Sequence, residues 1–366
     1  MNKIALYIAR PGVTHEIIRH GYVDALRHLG WKVYVTCPSS KLACKKLIEE
    51  YGVQLIFTHS KHGIRQLPID VINTNDVTVM VDLLPINSED KDIGGNYEFA
   101  HSDEPDIIND IGSVVVHTYL ESHIWPRILS HWTQAGINIL HNPVAANMMK
   151  ALPMQCNILT DVAMVSNFGE HPDAMQKFII PLFRQIDLLG YQYQIFGDEG
   201  WARAGIRNNG YLPDYINRLA TVYATALVCP NVHHIQQVQL GACVNIDTFM
   251  IPLCGGIQVV DNPLAKKYLG DHVDIATNTA EYVSKVLTAI KNHDVRNEKI
   301  RASAEYVATN HTYFNRLVSL FHAAGLLGLA DETETQGKRK AVQHCWEIDS
   351  RFSAAERGVE YEQNVI

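Results

Sequence analysis

The chain has 366 residues, of which 47% are hydrophobic and 19% charged; that is less charge than the ~25% of an average soluble chain, and it excludes a disordered polymer. Thirty-nine acidic against 31 basic residues leave a net charge of −8, which argues against a whole-surface attraction for nucleic acid or anionic membrane. No apolar run approaches the ~18 residues of a bilayer span, and Arg10-Pro11 arrives too soon for a secretory leader, so a cytoplasmic chain is expected.

In chain order, residues 3–9 form a short apolar run suited to a buried parallel strand. The break Arg10-Pro11-Gly12-Val13-Thr14 follows. Over 15–29 the pattern turns helical, with Ile18, Tyr22, Ala25, Leu26 and Leu29 on one stripe; Gly30 ends it and 31–36 reads as a second strand. This βαβ unit opens doubly wound α/β folds. Further strands are predicted at 54–57, 77–81, 113–116 and 137–140, with helices at 39–51 and 123–131. A second series starts near Asp161. Strand 162–165 leads into Ser166-Asn167-Phe168-Gly169 and a helix over 172–189, and strand 191–196 ends in Gly197-Asp198. Helix 215–226, strands 227–229 and 257–260, and helices 281–291 and 301–309 complete it. The fold class is therefore α/β, with domains at 1–155 and 156–330. Residues 331–340 read as a polar linker, and 341–352 as a last helix returning to the first domain.

Seven scattered cysteines (37, 44, 156, 229, 243, 254, 345) show no zinc spacing, and the 18 histidines include no His-Glu-x-x-His. Reduced, buried thiols and no metal site are expected. The richest segment is 227–262. Asn245, Asp247 and Thr248 are helix-starting types placed just before the apolar Phe249–Leu253. A helix beginning there aims backbone N–H groups at a ligand and suits a diphosphate. An ordinary capped helix, stopped by Gly255-Gly256, fits the same residues.

The string from Asp247-Thr248-Phe249-Met250 through Gly255-Gly256-Ile257 to Asp261-Asn262 resembles the donor-site helix of the spore-maturation-protein-like (CgeB-like) glycosyltransferases. The likeness spans 161–316. It takes in Val165-Ser166-Asn167, Ile195-Phe196-Gly197 with Trp201, Gly210-Tyr211-Leu212-Pro213 and His311-Thr312-Tyr313. It implies the GT-B fold: two Rossmann-like, doubly wound domains facing across a cleft, the first for acceptor and the second for a nucleotide-sugar donor. The donor-binding set it implies is Gly12, Ser166, Asn167, Gly197, Arg203, His233, Asn245, Asp247, Thr248 and Phe249. Two positions depart from the family: Asp247 replaces an Arg, and Met250 replaces the Glu that follows the Phe. An Asp at a helix start repels phosphate, so His233, His234 or Arg203 must offset it.

Sugar transfer needs a base for the acceptor hydroxyl and a stabilised leaving diphosphate. In such enzymes the base commonly comes from the first domain. His15 follows the first strand's loop, Asp82 ends the run 77–81 and His117 ends 114–116, so all three are catalytic candidates beside a reading as caps or satisfied polar residues. No cofactor is required, because a helix terminus and basic side chains can neutralise the diphosphate, and no Asp-x-Asp string suggests a metal. The acceptor the resemblance implies is a glycan, a protein, or a hydroxymethylated base of phage DNA. A DNA acceptor needs a basic groove, for which Lys61, His62, Arg65 and Lys338-Arg339-Lys340 offer material. The acidic set Asp103, Glu104 and Asp106 reads as a solvated face. A nucleotide-sugar epimerase or hydrolase, and a non-catalytic nucleotide-sugar-binding module, remain as rival readings.

Overall fold

The computed structural model describes residues 3–9, 13–36, 41–60, 62–83, 104–151, 158–292 and 296–356. Two compact units divide the chain. The first comprises Met1–Met149, Gln239–Cys243 and Tyr313–Gln336; the second comprises Lys150–Val238, Val244–Thr312 and Gly337–Ile366.

In the first unit, β1 (Ile4–Ile8), α1 (Val13–His28) and β2 (Lys32–Thr36) form the expected opening, followed by α2 (Lys41–Tyr51) and β3 (Leu55–His59). β4 (Thr78–Asp82), β5 (Val114–Thr118) and β6 (Ile139–His141) complete a six-stranded sheet in the order β2-β1-β3-β4-β5-β6. Every pairing is parallel. β3 and β4 are buried along their whole length, which is why they read as continuous apolar runs rather than alternating ones.

The second unit repeats the winding. β7 (Thr160–Val165), α3 (Ile180–Leu189), β8 (Tyr193–Phe196), α4 (Tyr215–Ala224) and β9 (Ala226–Asn231) are followed by α5 (Asp247–Leu253), β10 (Gln258–Val260) and β11 (Asp274–Ile275). The parallel sheet runs β11-β10-β9-β7-β8. α6 (Thr279–Lys291) and α7 (Arg296–Asn310) cover it. Counting strands from the first of each unit, both sheets share the order 2-1-3-4-5, so the winding reverses between β1 and β3 and again between β7 and β9. Open α/β sheets bind ligands outside the carboxyl ends at such points.

Three expectations need correction. The helix predicted over 172–189 is interrupted by a π-helical stretch at Met175–Ile179. Pro181 has no N–H to bond the carbonyl four residues back, and the ladder widens there. Residues 331–340 are not a linker but part of the 30-residue helix α9 (Leu327–Glu356), which comes after α8 (Tyr313–Ala323). Ala330, Thr333, Ala341, His344 and Ile348 are buried on α9 at helical spacing; the stripe is built from small and polar residues, so composition alone reads as solvent. The chain rejoins the first unit over Tyr313–Gln336 instead, and residues 341–352, expected to return there, belong to the second unit. The α8 ring of Tyr313 packs on α1 so closely that a Cβ at Gly21 would lie 2.0 Å from it. No described helix is long and apolar enough to cross a membrane.

Candidate functional site

At the carboxyl end of the first sheet, parallel register aligns His59 with Asp82 and Asp82 with His117. All three are buried, and side chains in one register row project to the same face. His117 Nδ1 lies 3.9 Å from Asp82 Oδ1, beyond hydrogen-bond reach. Burial lowers the His117 imidazole to about 3, so it is neutral at working pH. Around this row stand three phenols. Tyr7 of β1 stacks on Phe57, Tyr22 of α1 packs on Tyr313 of α8, and Tyr22 OH accepts from Asn142 Nδ2 at 3.1 Å. Burial first, and then the charge of Asp82, pushes Tyr7 and Tyr22 up. Burial also raises Tyr313, and Asp82 adds to it. These phenols therefore stay protonated, and they surround the carboxylate with potential donors. His15 lies in the first turn of α1, half-buried.

In the second unit a polar network ties the start of α5 to the ends of β9 and β10. Asp261 Oδ1 pairs with His233 Nδ1 at 2.8 Å, and Asp261 also accepts the His233 N–H. His233 Nε2 reaches Thr248 Oγ1 at 3.3 Å. Asn245 Oδ1 accepts from Thr248 N at 3.0 Å and from Thr248 Oγ1 at 2.9 Å, while its Nδ2 donates to Asn231 Oδ1 and Val232 O. Asn231 in turn donates to Gln258 Oε1. His233 and Thr248 are wholly buried, and burial without these partners would cost several kcal/mol, on the order of 1–3 per group.

Asp247 opens α5 half-buried and accepts from Tyr223 OH at 2.8 Å. Burial raises its carboxyl to about 6 against the opposing pull of that hydrogen bond and of His233. The loop after β7 is fixed from outside. Asp198 accepts from the N–H groups of Phe168 and Gly169 at 3.3 Å, and Asn167 Nδ2 donates to Glu170 at 2.8 Å.

The predicted residues thus fall into separate groups. Asp82 and His117 come together, and so do His233, Asn245, Asp247 and Thr248. Ser166 and Asn167 follow β7, as expected. Gly197 is a packing position. A Cβ there would sit 2.1 Å from Ser166 O and 2.7 Å from Trp201 Nε1, which donates to that same carbonyl at 2.8 Å. Phe249 is not positioned to touch a ligand. It is fully buried, stacked on His311 at 4.8 Å, because the apolar face of a seven-residue helix must be covered. The amide expectation at α5 also changes, since Thr248 N is taken by Asn245 and Phe249 N bonds Ile246 O at 3.0 Å. Arg203 is exposed on the short helix Gly200–Arg203. Of the acidic set, Glu104 is 1% exposed and so is not a solvated face, whereas Asp106 is exposed. Arg65, Lys338 and Arg339 are exposed, as a solvated surface would be. Gly12, Lys61, Asp103, Cys37 and Cys156 lie outside the described residues. Cys44, Cys229, Cys243 and Cys254 are buried. Among the described residues no group of three or more His, Cys, Asp or Glu is placed to hold a metal ion.

Sequence reasoning missed His59, His171 and Asp261. The last follows the apolar run 257–260 just as Asp82 follows 77–81, so the signal was present. It also missed that Gln239–Cys243 belongs to the first unit, where Glu121 N donates to Ala242 O at 2.8 Å and His123 Nε2 meets Leu240 O at 2.9 Å.

Residues 176–322 match a family described as glycosyl transferase-like. No curated protein matches the chain. Among solved structures, it is similar to sucrose-phosphate synthase from Thermosynechococcus elongatus (TM-score 0.54, 13% identity, 90% of this chain and 100% of that one). T4 phage BGT in complex with its UDP-glucose substrate matches with TM-score 0.52 and 9% identity, covering 95% and 100%. A putative UDP-N-acetylglucosamine 2-epimerase from Listeria monocytogenes matches with TM-score 0.53 and 8% identity, covering 91% and 98%. The fold is thus of the GT-B class, two parallel sheets of alternating strands and helices.

Proposed function

We propose that this chain is a cytoplasmic glycosyltransferase of the CgeB-like kind, moving a sugar from a nucleotide-diphosphate donor, UDP-linked, to an acceptor hydroxyl. The observation that carries the reading is the pairing of a glycosyl transferase-like match over 176–322 with polar, buried side chains gathered at the carboxyl ends of β9 and β10, beside the β7/β9 reversal of the same unit. The second unit, chiefly Lys150–Val238 and Val244–Thr312, takes the donor. In this reading the Asp261–His233–Thr248 chain and Asn245 hold the donor loop in place, and Ser166 and Asn167 line it.

The first unit takes the acceptor, with Asp82 as the base. Asp82 receives the acceptor's proton, the new bond forms to the anomeric carbon, and the nucleoside diphosphate leaves with the electrons of the broken C–O bond. His117 does not serve as that base, because it is 2% exposed and burial, which lowers it to about 3, makes it a weak base. The acceptor reading stays at the level of a hydroxyl on a glycan or a modified DNA base, and the donor needs no cofactor beside it.

The test is a panel of UDP- and GDP-sugars with and without acceptor. Transfer that falls at least a hundredfold in Asp82→Asn, with UDP affinity unchanged, supports the assignment. Donor turnover without any acceptor points to the epimerase or hydrolase reading instead, and binding without turnover to the non-catalytic module.

A further inference from the structure

Two imidazoles meet at the carboxyl end of the second sheet. His171 closes the loop after β7 and His234 follows β9, so the pair stands on the two strands that flank the winding reversal. Their ring centroids are 4.2 Å apart at 60°. His233, next in the chain, is committed to Asp261 and Thr248, whereas His171 Nδ1 is buried without a hydrogen-bond partner among the described residues. Neutral imidazoles each offer one N–H donor and one lone pair. At this separation both cannot carry charge, and one proton between them is stabilised only beside an anion.

The surrounding groups are mixed in sign. Glu170 adjoins His171 and is engaged by Asn167. Asp247 of α5 lies against Tyr223 and Tyr215 of α4, and Asp261 after β10 is paired to His233. Burial, and then the neighbouring imidazoles, lowers His171 to about 3 and also lowers His234. His171 has its Nδ1 shut away from solvent without a partner, so His234 is the ring placed to take a proton.

We propose that the His171–His234 pair is a proton-linked contact for the donor's phosphates: neutral in the free protein, it takes one proton from solvent, carried on His234, as the anion binds. The inference rests on the donor-site reading above and adds to it the means by which a site bearing Asp247 in place of an Arg gains positive charge. An anion within ~4–6 Å shifts a neighbouring pKa by about 1–3 units, enough to recharge a half-buried imidazole.

The experiment is calorimetric titration of the full chain with UDP and, separately, inorganic pyrophosphate, between pH 6.5 and 8.5, in paired buffers of different ionisation enthalpy. We expect net uptake approaching one proton at pH 7.5 and affinity falling up to about tenfold per pH unit above it. His234→Gln loses the uptake and binds UDP more weakly at pH 6.5, with an affinity that no longer changes with pH. His171→Asn weakens binding and shifts the pH at which uptake occurs, and Asp247→Asn retains it. Binding that is independent of pH, or uptake that survives His234→Gln and vanishes in Asp247→Asn, overturns the proposal while leaving the donor reading intact. Absence of binding by any nucleoside diphosphate overturns the donor reading, and this proposal falls with it.

Discussion

At the scale of single residues, two titratable groups, one buried and one half-buried, respond to pH in opposite directions. His117 is neutral down to about pH 3 when folded, whereas an unfolded chain's imidazole titrates near ~6.5. Between those values the unfolded state binds more protons. The stability His117 contributes is therefore complete above pH 6.5 and is lost as pH falls toward 3. Urea unfolding at pH 7 and pH 5 should show wild type losing about 2 kcal/mol more than His117→Gln; equal losses would refute the burial account. Asp247 behaves inversely, because burial raises its carboxyl from 3.8 to about 6. Here the folded state holds the extra proton, so stability falls as pH rises from 4 to 6 and is flat beyond. Asp247→Asn keeps an acceptor for Tyr223 OH and should be more stable than wild type by about 1–2 kcal/mol at pH 8, with the gap closing near pH 4. A variant less stable at every pH would show that the ionised carboxylate is needed for the fold.

At the scale of elements, the glycine after β8 is the sharpest constraint. Gly197→Ala places a Cβ 2.1 Å from Ser166 O, so either β8 or the loop after β7 must move. We expect a loss of about 2–3 kcal/mol in thermal or urea unfolding, together with faster amide exchange across 166–171; unchanged exchange there would show that the strain is absorbed elsewhere. The strands themselves were legible because both faces of a parallel sheet are covered, and runs such as 79–81 and 226–230 are apolar throughout. Asp82 was legible for the same reason, as the polar residue that ends such a run. α9 was not, since its buried stripe uses Ala330, Thr333 and Ala341 amid many charges. Nor was the His233–Asp261 bond. It joins residues 28 apart, and it exists only because β9 and β10 are neighbours. Phe249 fitted a ligand contact by motif, yet it is buried by its helix's need for a covered face.

At the scale of the molecule, two units with the same winding each present buried polar groups at the carboxyl ends of their strands. Such chemistry is not needed for stability, since apolar residues would fill those positions at less desolvation cost. We expect the second unit's β7/β9 reversal to receive a nucleoside diphosphate. Hydrogen–deuterium exchange of the full chain, with and without saturating UDP or GDP, tests it most directly. We expect slowed exchange confined mainly to 166–171 and 231–248. Unaltered exchange with either nucleotide, or protection restricted to the first unit, would contradict it.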